Sequence, residues 1–141
     1  MGEKGYNTNL AAEFYVLSSL HRMGLNATLT LGNKKAVDIV VIVNKDHVIT
    51  VDVKGLACKM DWIFGNGPLH VAANHIIALV GYEGMIDQID KEPRIWIVPS
   101  LKLKPFIKTA GNGKTKYVPR KRFLEEGKQY ENAWDVLKGM T

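Results

Sequence analysis

Two apolar segments separated by a short polar turn constrain the fold of this chain more than any other feature. Residues 38–43 and residues 48–54 are rich in valine and isoleucine, and residues 44–47 between them have the composition of a turn. The pattern predicts two antiparallel strands joined in a hairpin. Asp38 opens the first strand and Asp52 lies near the end of the second, so both carboxylates are expected at the same end of the hairpin.

The two carboxylates face the same side of the sheet only in one class of strand register. Opposed residues must have numbers of equal parity, such as 38 with 52, because side chains alternate between the two faces of a strand. This register predicts a three-residue loop of residues 44–46. The alternation within the second strand also places Lys54 on the same side as Asp52, since one residue separates the two.

The rest of the chain predicts further strands and several helices. Thr8 has the chemistry of a helix N-cap and Gly24 that of a helix stop, so a first helix is expected between them. Residues 55–69 lack a regular pattern. Further strands are predicted at residues 26–31, 75–80 and 94–98, and further helices at residues 100–108 and 131–138. The order predicts a single α/β domain, residues 1–141, in which helices flank a central mixed β-sheet.

The overall composition limits the classes of protein to which the chain can belong. With 46% apolar and 23% charged residues, it is close to the globular average, which argues against a disordered or fibrous chain. Cys58 is the only cysteine, which excludes an internal disulfide and favours a reducing, cytoplasmic setting. The sequence has no apolar run long enough for a membrane span and no signal-peptide pattern in residues 1–10. We therefore expect a cytoplasmic protein without a membrane partner.

The formal net charge of +5 is concentrated in the C-terminal segment, residues 101–141. This segment contains ten lysines and arginines against four acids, whereas the first 100 residues contain nine against ten. Within it, residues 109–122 hold no acid, and the glycines of residues 111–113 are expected to keep the start mobile. Such a segment can contact a nucleic-acid backbone, or it can be a solvated loop that keeps the protein soluble. The candidate phosphate contacts are Lys114, Lys116, Arg120, Lys121 and Arg122.

The first predicted helix carries one carboxylate on its apolar side. At about 100° per residue, Glu13 falls among the apolar residues Tyr6, Leu10, Phe14, Leu17 and Leu20. Burying a charged carboxylate costs several kcal/mol unless a cation or hydrogen bonds compensate. Glu13 is therefore expected to meet such a group. A structural lysine or a backbone donor would be sufficient, and this alternative stays open.

An acid, one intervening residue and a lysine occur twice in the sequence, at residues 52–54 and 126–128. Only the first occurrence lies at the end of an apolar strand with a second acid, Asp38, predicted beside it. Mg²⁺ prefers oxygen ligands, and a few carboxylates with a phosphate oxygen are sufficient to hold it. An ammonium group such as that of Lys54 stabilises the charge that develops on a phosphate. These residues are a candidate site for phosphodiester hydrolysis, and a buried ion-pair network without a metal is the alternative.

Together these residues resemble the PD-(D/E)XK nuclease superfamily, which has the restriction-endonuclease-like fold. The similarity extends over residues 5–100, with a helix, a three-strand meander and further helix and strand elements. Small Holliday-junction resolvases and the homing endonucleases of this fold are the most similar members. The resemblance implies that Asp38 and Asp52 hold Mg²⁺, that Glu13 assists them, and that Lys54 aligns or polarises the attacking water.

The function that the resemblance implies is a Mg²⁺-dependent endonuclease acting on DNA, with Mn²⁺ as an alternative ion. A catalytically inactive nucleic-acid-binding module of the same fold and an unrelated α/β domain stay open, as do RNA as the substrate and a homodimer or higher oligomer. Lys34 and Lys35, before the hairpin, are further candidates for nucleic-acid contact. The histidines lack metal-ligand spacing and are expected to be surface or edge residues, namely His21, His47, His70 and His75.

Overall fold

The computed structural model describes residues 2–30 and 36–141. The helices in that part of the chain are α1 (Gly2–Arg22), α2 (Ser100–Leu103), α3 (Arg120–Glu126) and α4 (Asp135–Met140), with 3-10 turns at Lys104–Phe106 and Lys128–Tyr130. The strands are β1 (Ala27–Leu29), β2 (Ile39–Asn44), β3 (His47–Leu56), β4 (Trp62–Gly65), β5 (His75–Gly81), β6 (Arg94–Pro99), β7 (Lys108–Thr109) and β8 (Lys116–Val118).

Five of the strands form one mixed sheet in the order β1-β2-β3-β5-β6. Neighbours are antiparallel except β3 and β5, which are parallel because the chain crosses over between them through residues 57–74. All seven residues of β5 are buried, as expected for a central strand that is covered on both faces. The predicted α/β class, with a central mixed sheet flanked by helices, is confirmed.

A second sheet, which the sequence pattern does not predict, lies in the crossover and the basic segment. Its antiparallel order is β4-β8-β7, and Trp62 lies opposite Val118. The three strands are two to four residues long, too short for an alternating pattern to be recognised. Residues 111–113, which were expected to be mobile, lie in the turn of the β7–β8 hairpin. There the Asn112 side-chain oxygen accepts hydrogen bonds from the backbone N–H groups of Lys114 and Thr115, at 2.8 and 3.0 Å.

Two apolar clusters cover the two faces of the main sheet. Alternate residues of β5 divide between them, with Ile76 in the first cluster and Ile77 in the second. The first cluster also contains the buried sides of α1 and α4. In the second, the rings of Trp62, Trp96 and Phe123 meet edge to face with centroids 5.5 to 6.1 Å apart. This aromatic packing joins the second sheet and α3 to the main sheet.

The helix boundaries differ from the sequence-based expectations in three places. The first helix begins at Gly2, so Thr8 lies inside it and is buried rather than being a cap, whereas the stop at Gly24, with a φ of 78°, is confirmed. The helix expected at residues 100–108 is only one turn long, because Pro105 lies in a 3-10 turn that leads into β7. The last helix begins at Asp135 rather than at residue 131. No described helix is both long enough and apolar enough to cross a bilayer.

Candidate active site

Close packing of α1 on β3 holds Glu13 inside the protein. Its side chain is 6% exposed, as the helical pattern predicted. The same pattern placed Tyr6 and Phe14 on the buried side, but they are 57% and 54% exposed. The reason is the contact with Gly55, where an added Cβ would lie 2.8 Å from the Cβ of Ala12. The helix therefore turns its small residues towards β3 and these two aromatic residues towards solvent.

Asp38 lies where β2 begins, and its carboxylate completes the hydrogen bonding of β3. The backbone N–H of Val53 donates to Asp38 Oδ2 over 2.8 Å. In a continued antiparallel ladder, a backbone carbonyl of the neighbouring strand would accept this hydrogen bond. Because the side chain replaces that carbonyl, the carboxylate is held at the end of the ladder, beside the last residues of β3.

The register of β2 and β3 is the one that the two aspartates require. Ile39 lies opposite Val51, so opposed residues have numbers of equal parity, and the predicted register is confirmed. The predicted three-residue loop is wrong, because Asn44 pairs with His47 and leaves a two-residue turn. A register shift near the end of β2 accounts for the difference without changing the pairing at the aspartate end.

Three of the four predicted catalytic residues line a single cavity of about 280 Å³, namely Glu13, Asp38 and Lys54. They come from α1, from the start of β2 and from β3, so the fold brings together groups that are far apart in the sequence. Trp62 and Ile63 of β4 line the same cavity. The Lys54 ammonium lies 5.3 Å from the centre of the Phe64 ring.

Asp52 has a different environment from the other three residues. It shares a side of β3 with Lys54, as predicted, but it is not among the described residues that line the cavity. Its carboxylate oxygen Oδ2 lies 3.2 Å from Nε2 of His75, at the start of β5. Since β5 and β2 flank β3 on opposite sides, this carboxylate is directed away from Asp38.

His75 is a contact of Asp52 that the sequence analysis missed. It was expected at the surface or at a sheet edge, but it is completely buried. Its ring nitrogens contact two side chains of β3, Asp52 and Thr50. A signal for its burial was present, because it opens a seven-residue segment that is otherwise apolar. Its partners depend on the parallel pairing of β3 with β5, which a local pattern does not specify.

The cavity is lined by carboxylate oxygens, the donor type that Mg²⁺ and Mn²⁺ prefer. Its ionisable side chains are two carboxylates and one ammonium group, and among the described lining residues there is no histidine or cysteine. The described residues contain no group of three or more acids, histidines or cysteines arranged as a complete metal cage. Mg²⁺ does not need such a cage, because it is commonly held by one or two carboxylates with substrate phosphates and water. The residues present therefore fit a hard divalent cation, to which a bound phosphate would add a further oxygen ligand.

The candidate phosphate contacts have different surroundings. Lys34 and Lys35 lie outside the described residues. Lys114, in the turn of the β7–β8 hairpin, and Lys121, on α3, are exposed, and Lys116 on β8 is half-buried.

The two arginines of the same set are engaged with acids of this chain. Arg120 forms an ion pair with Glu83, and its backbone N–H donates to Asp61 over 2.8 Å. Arg122 donates to Glu126 over 3.0 Å.

A larger cavity of about 450 Å³, lined by residues of α1 and α4, contains none of the predicted site residues. Burial, with a smaller contribution from Glu92, raises the pKa of Tyr15 in its wall. Its lining also contains two acids and a lysine, Glu92, Asp135 and Lys138, but none of the three belongs to the β2–β3 hairpin.

The fold is shared with a nuclease of known structure. The bacterial homing endonuclease I-Ssp6803I is similar to this chain with a TM-score of 0.51 and 16% sequence identity, over 93% of this chain and 90% of that one. At this level of identity, the similarity shows the fold alone. No family model matches the sequence, and no curated protein matches it.

Proposed function

We propose that this chain is a Mg²⁺-dependent endonuclease of the PD-(D/E)XK type that hydrolyses phosphodiester bonds in DNA. The observation that carries the proposal is the convergence of Glu13, Asp38 and Lys54 on one cavity. The equal-parity register of β2 and β3, in which Asp38 and Asp52 belong to the same end of the hairpin, supports it. The shared fold with a homing endonuclease supports it independently.

Each residue has a distinct role in this proposal. Asp38 and Glu13 would hold the cation from the cavity, and Asp52 would contribute from β3 the carboxylate oxygen that does not contact His75. The chemistry that the ion supplies when bound is polarisation of the scissile phosphate and activation of a water molecule. Lys54 aligns that water and offsets the negative charge that develops on the phosphate. The β3 backbone keeps the spacing of Asp52 and Lys54 fixed, because both belong to one strand.

We propose DNA as the partner and the second sheet as its contact surface. β4 lines the cavity and pairs with β8, so the β7–β8 hairpin extends from the wall of the cavity. Lys114, Lys116 and Lys121 give this part of the protein positive charge. A two-stranded ribbon fits the major groove of DNA. We also propose that residues 1–141 act as one nuclease domain, because the similarity to the homing endonuclease extends over nearly the whole chain.

A catalytically inactive DNA-binding module is the second candidate. The observation that favours it is the orientation of Asp52, whose Oδ2 contacts His75 rather than the cavity. Such a protein would retain the lysine-rich surface and bind DNA without hydrolysing it.

Cleavage of supercoiled plasmid and of branched DNA, with Mg²⁺ or Mn²⁺ and with EDTA as the control, distinguishes the two candidates. We expect metal-dependent cleavage by the wild type and a rate about 100-fold lower in Lys54→Ala, with DNA binding retained. Lys45→Ala, in the turn at the other end of the hairpin, is the matched control and should cleave normally. Binding without cleavage by the wild type would select the inactive module, and normal cleavage by Lys54→Ala would refute the assigned site.

A further inference from the structure

A chain of three side chains connects β3 to the buried start of β5. The Thr50 hydroxyl lies 2.7 Å from His75 Nδ1, and Asp52 Oδ2 lies 3.2 Å from His75 Nε2. Thr50 and Asp52 are two residues apart on β3 and therefore lie on one side of the strand. The imidazole joins them along the sheet.

The hydrogen bonds fix the roles of the two ring nitrogens. A carboxylate oxygen only accepts, so Nε2 carries the proton that is donated to Asp52. In the neutral ring, Nδ1 then accepts the hydrogen bond from the Thr50 hydroxyl. The carboxylate thus selects the tautomer, and the Thr50 hydroxyl supplies the donor that this tautomer requires at Nδ1.

The position of the ring is also fixed by its surroundings. His75 is completely buried, and the His70 ring meets it edge to face with centroids 4.2 Å apart. Its backbone N–H donates to the carbonyl of Ala72, and that carbonyl also accepts a hydrogen bond from the buried hydroxyl of Ser100. The backbone of His75 is therefore held by a turn that is anchored to α2.

We propose that His75 is a positioning residue that orients the Asp52 carboxylate for a divalent cation. The proposal rests on the proposed function, in which Asp52 is a metal ligand. Holding Oδ2 on the ring leaves the other carboxylate oxygen to the ion and prevents the side chain from rotating. Hydrogen-bond partners of ligating carboxylates have this role in metal sites, and their removal typically costs about 10-fold to 100-fold in metal affinity.

The test is calorimetric Mn²⁺ binding to the full chain without DNA, beside metal-dependent cleavage. His75→Phe removes the donor but keeps a ring, and we expect Mn²⁺ binding about 10-fold to 100-fold weaker. His75→Gln keeps an N–H donor at a similar reach and should restore most of the affinity. Thr50→Val removes the hydroxyl at nearly constant volume and should weaken binding, whereas the matched Thr50→Ser should not. The Thr50 pair tests the proposal even if His75→Phe fails to fold.

Asp52→Ala separates failure of this inference from failure of the proposed function. If Asp52→Ala abolishes Mn²⁺ binding while His75→Phe and Thr50→Val bind as the wild type does, His75 has no positioning role and the nuclease proposal stands. If Asp52→Ala binds Mn²⁺ normally, or the wild type does not bind it, the metal site and the role of His75 are both refuted. Tighter binding by His75→Phe would show that the imidazole competes with the ion and would also overturn the inference.

Discussion

The basic side chains of the C-terminal segment differ in what a phosphate contact would cost them. Arg120 would have to break its ion pair with Glu83 before it could contact DNA. An exposed lysine such as Lys114 exchanges only water and small ions for a phosphate. The lysines are therefore better candidates for DNA contact than the arginines, although the sequence presents them as one basic group.

The salt dependence of DNA binding should reveal this difference. Replacing Lys114, Lys116 and Lys121 together by glutamine should reduce the slope of log K against log salt by roughly 0.9 for each phosphate that the protein no longer neutralises. The double variant Arg120→Gln and Arg122→Gln should leave the slope nearly unchanged, because these side chains stay with their acids. Binding titrations over a range of salt concentrations measure both slopes. A larger change in the arginine variant than in the lysine variant would contradict this assignment.

The residues of the candidate site differ in how far the sequence could predict them. The inward position of Glu13 follows from helical spacing, and the common side of Asp52 and Lys54 follows from strand alternation, so local patterns were sufficient. The contact of His75 with Asp52 depends on a parallel pairing across an 18-residue crossover, which no local pattern encodes. The ion pair of Arg120 with Glu83 depends in the same way on tertiary packing.

The packing of α1 on β3 is the contact between elements that positions Glu13 in the candidate site. The helix approaches the strand at Gly55, where a side chain would meet both Ala12 and the backbone carbonyl of Thr8, at 2.8 and 3.1 Å. Glu13 follows directly after Ala12 in the helix. A small shift of α1 would therefore move this carboxylate relative to Asp38.

A single methyl group at Gly55 should disturb both stability and the site. We expect Gly55→Ala to lower the free energy of unfolding by about 1 to 3 kcal/mol, because overpacking at a tight contact forces the backbone to shift. Gly67→Ala, with open space around its Cβ, is the matched control and should change stability by less than about 0.5 kcal/mol. Denaturant unfolding of both variants provides the measurement. Equal stabilities would show that α1 does not depend on the close approach.

The sequence predicted the elements of the main sheet but not those of the second sheet. Residues 75–80 and 94–98 are long apolar segments, and each corresponds to a strand of nearly the predicted length. β7 and β8 contain two and three residues, and β8 pairs with β7 on one side and with β4 on the other, where Trp62 lies opposite Val118. Short strands carry too little local information to be recognised before their partners are known.

At the scale of the whole molecule, a group of charges joins β6 to the segment before α4 and to the loop after β5. Arg94 donates to both carboxylate oxygens of Glu131 at 2.8 and 2.9 Å, and it also approaches Glu83 at 3.7 Å. The hydrogen bonds from Arg94 lower the pKa of Glu131. Arg120 extends the group through Glu83 to the start of α3.

The lowered pKa of Glu131 makes part of the stability depend on pH. A carboxyl group whose pKa is lower in the folded protein stabilises it above the unfolded pKa, roughly 4.3 for glutamate, and this contribution is lost as the pH falls through the folded value. Glu131→Gln should therefore be up to about 1 kcal/mol less stable than the wild type near neutral pH and should approach it under acidic conditions. Exposed Glu125→Gln is the control. Urea unfolding at several pH values measures the difference, and a gap that widens on acidification would contradict the argument.

The pairing of β4 with β8 also sets the order in which the chain can assemble. The first helix and the β2–β3 hairpin form through contacts between near neighbours in the sequence, whereas closure of the second sheet brings together segments separated by β5 and β6. Closing so long a loop costs more entropy and favours late formation. During synthesis, the carboxylates can therefore be in place before the β4 wall of the cavity is secured. The cavity wall can therefore be secured only after β8, more than fifty residues beyond β4, has been made.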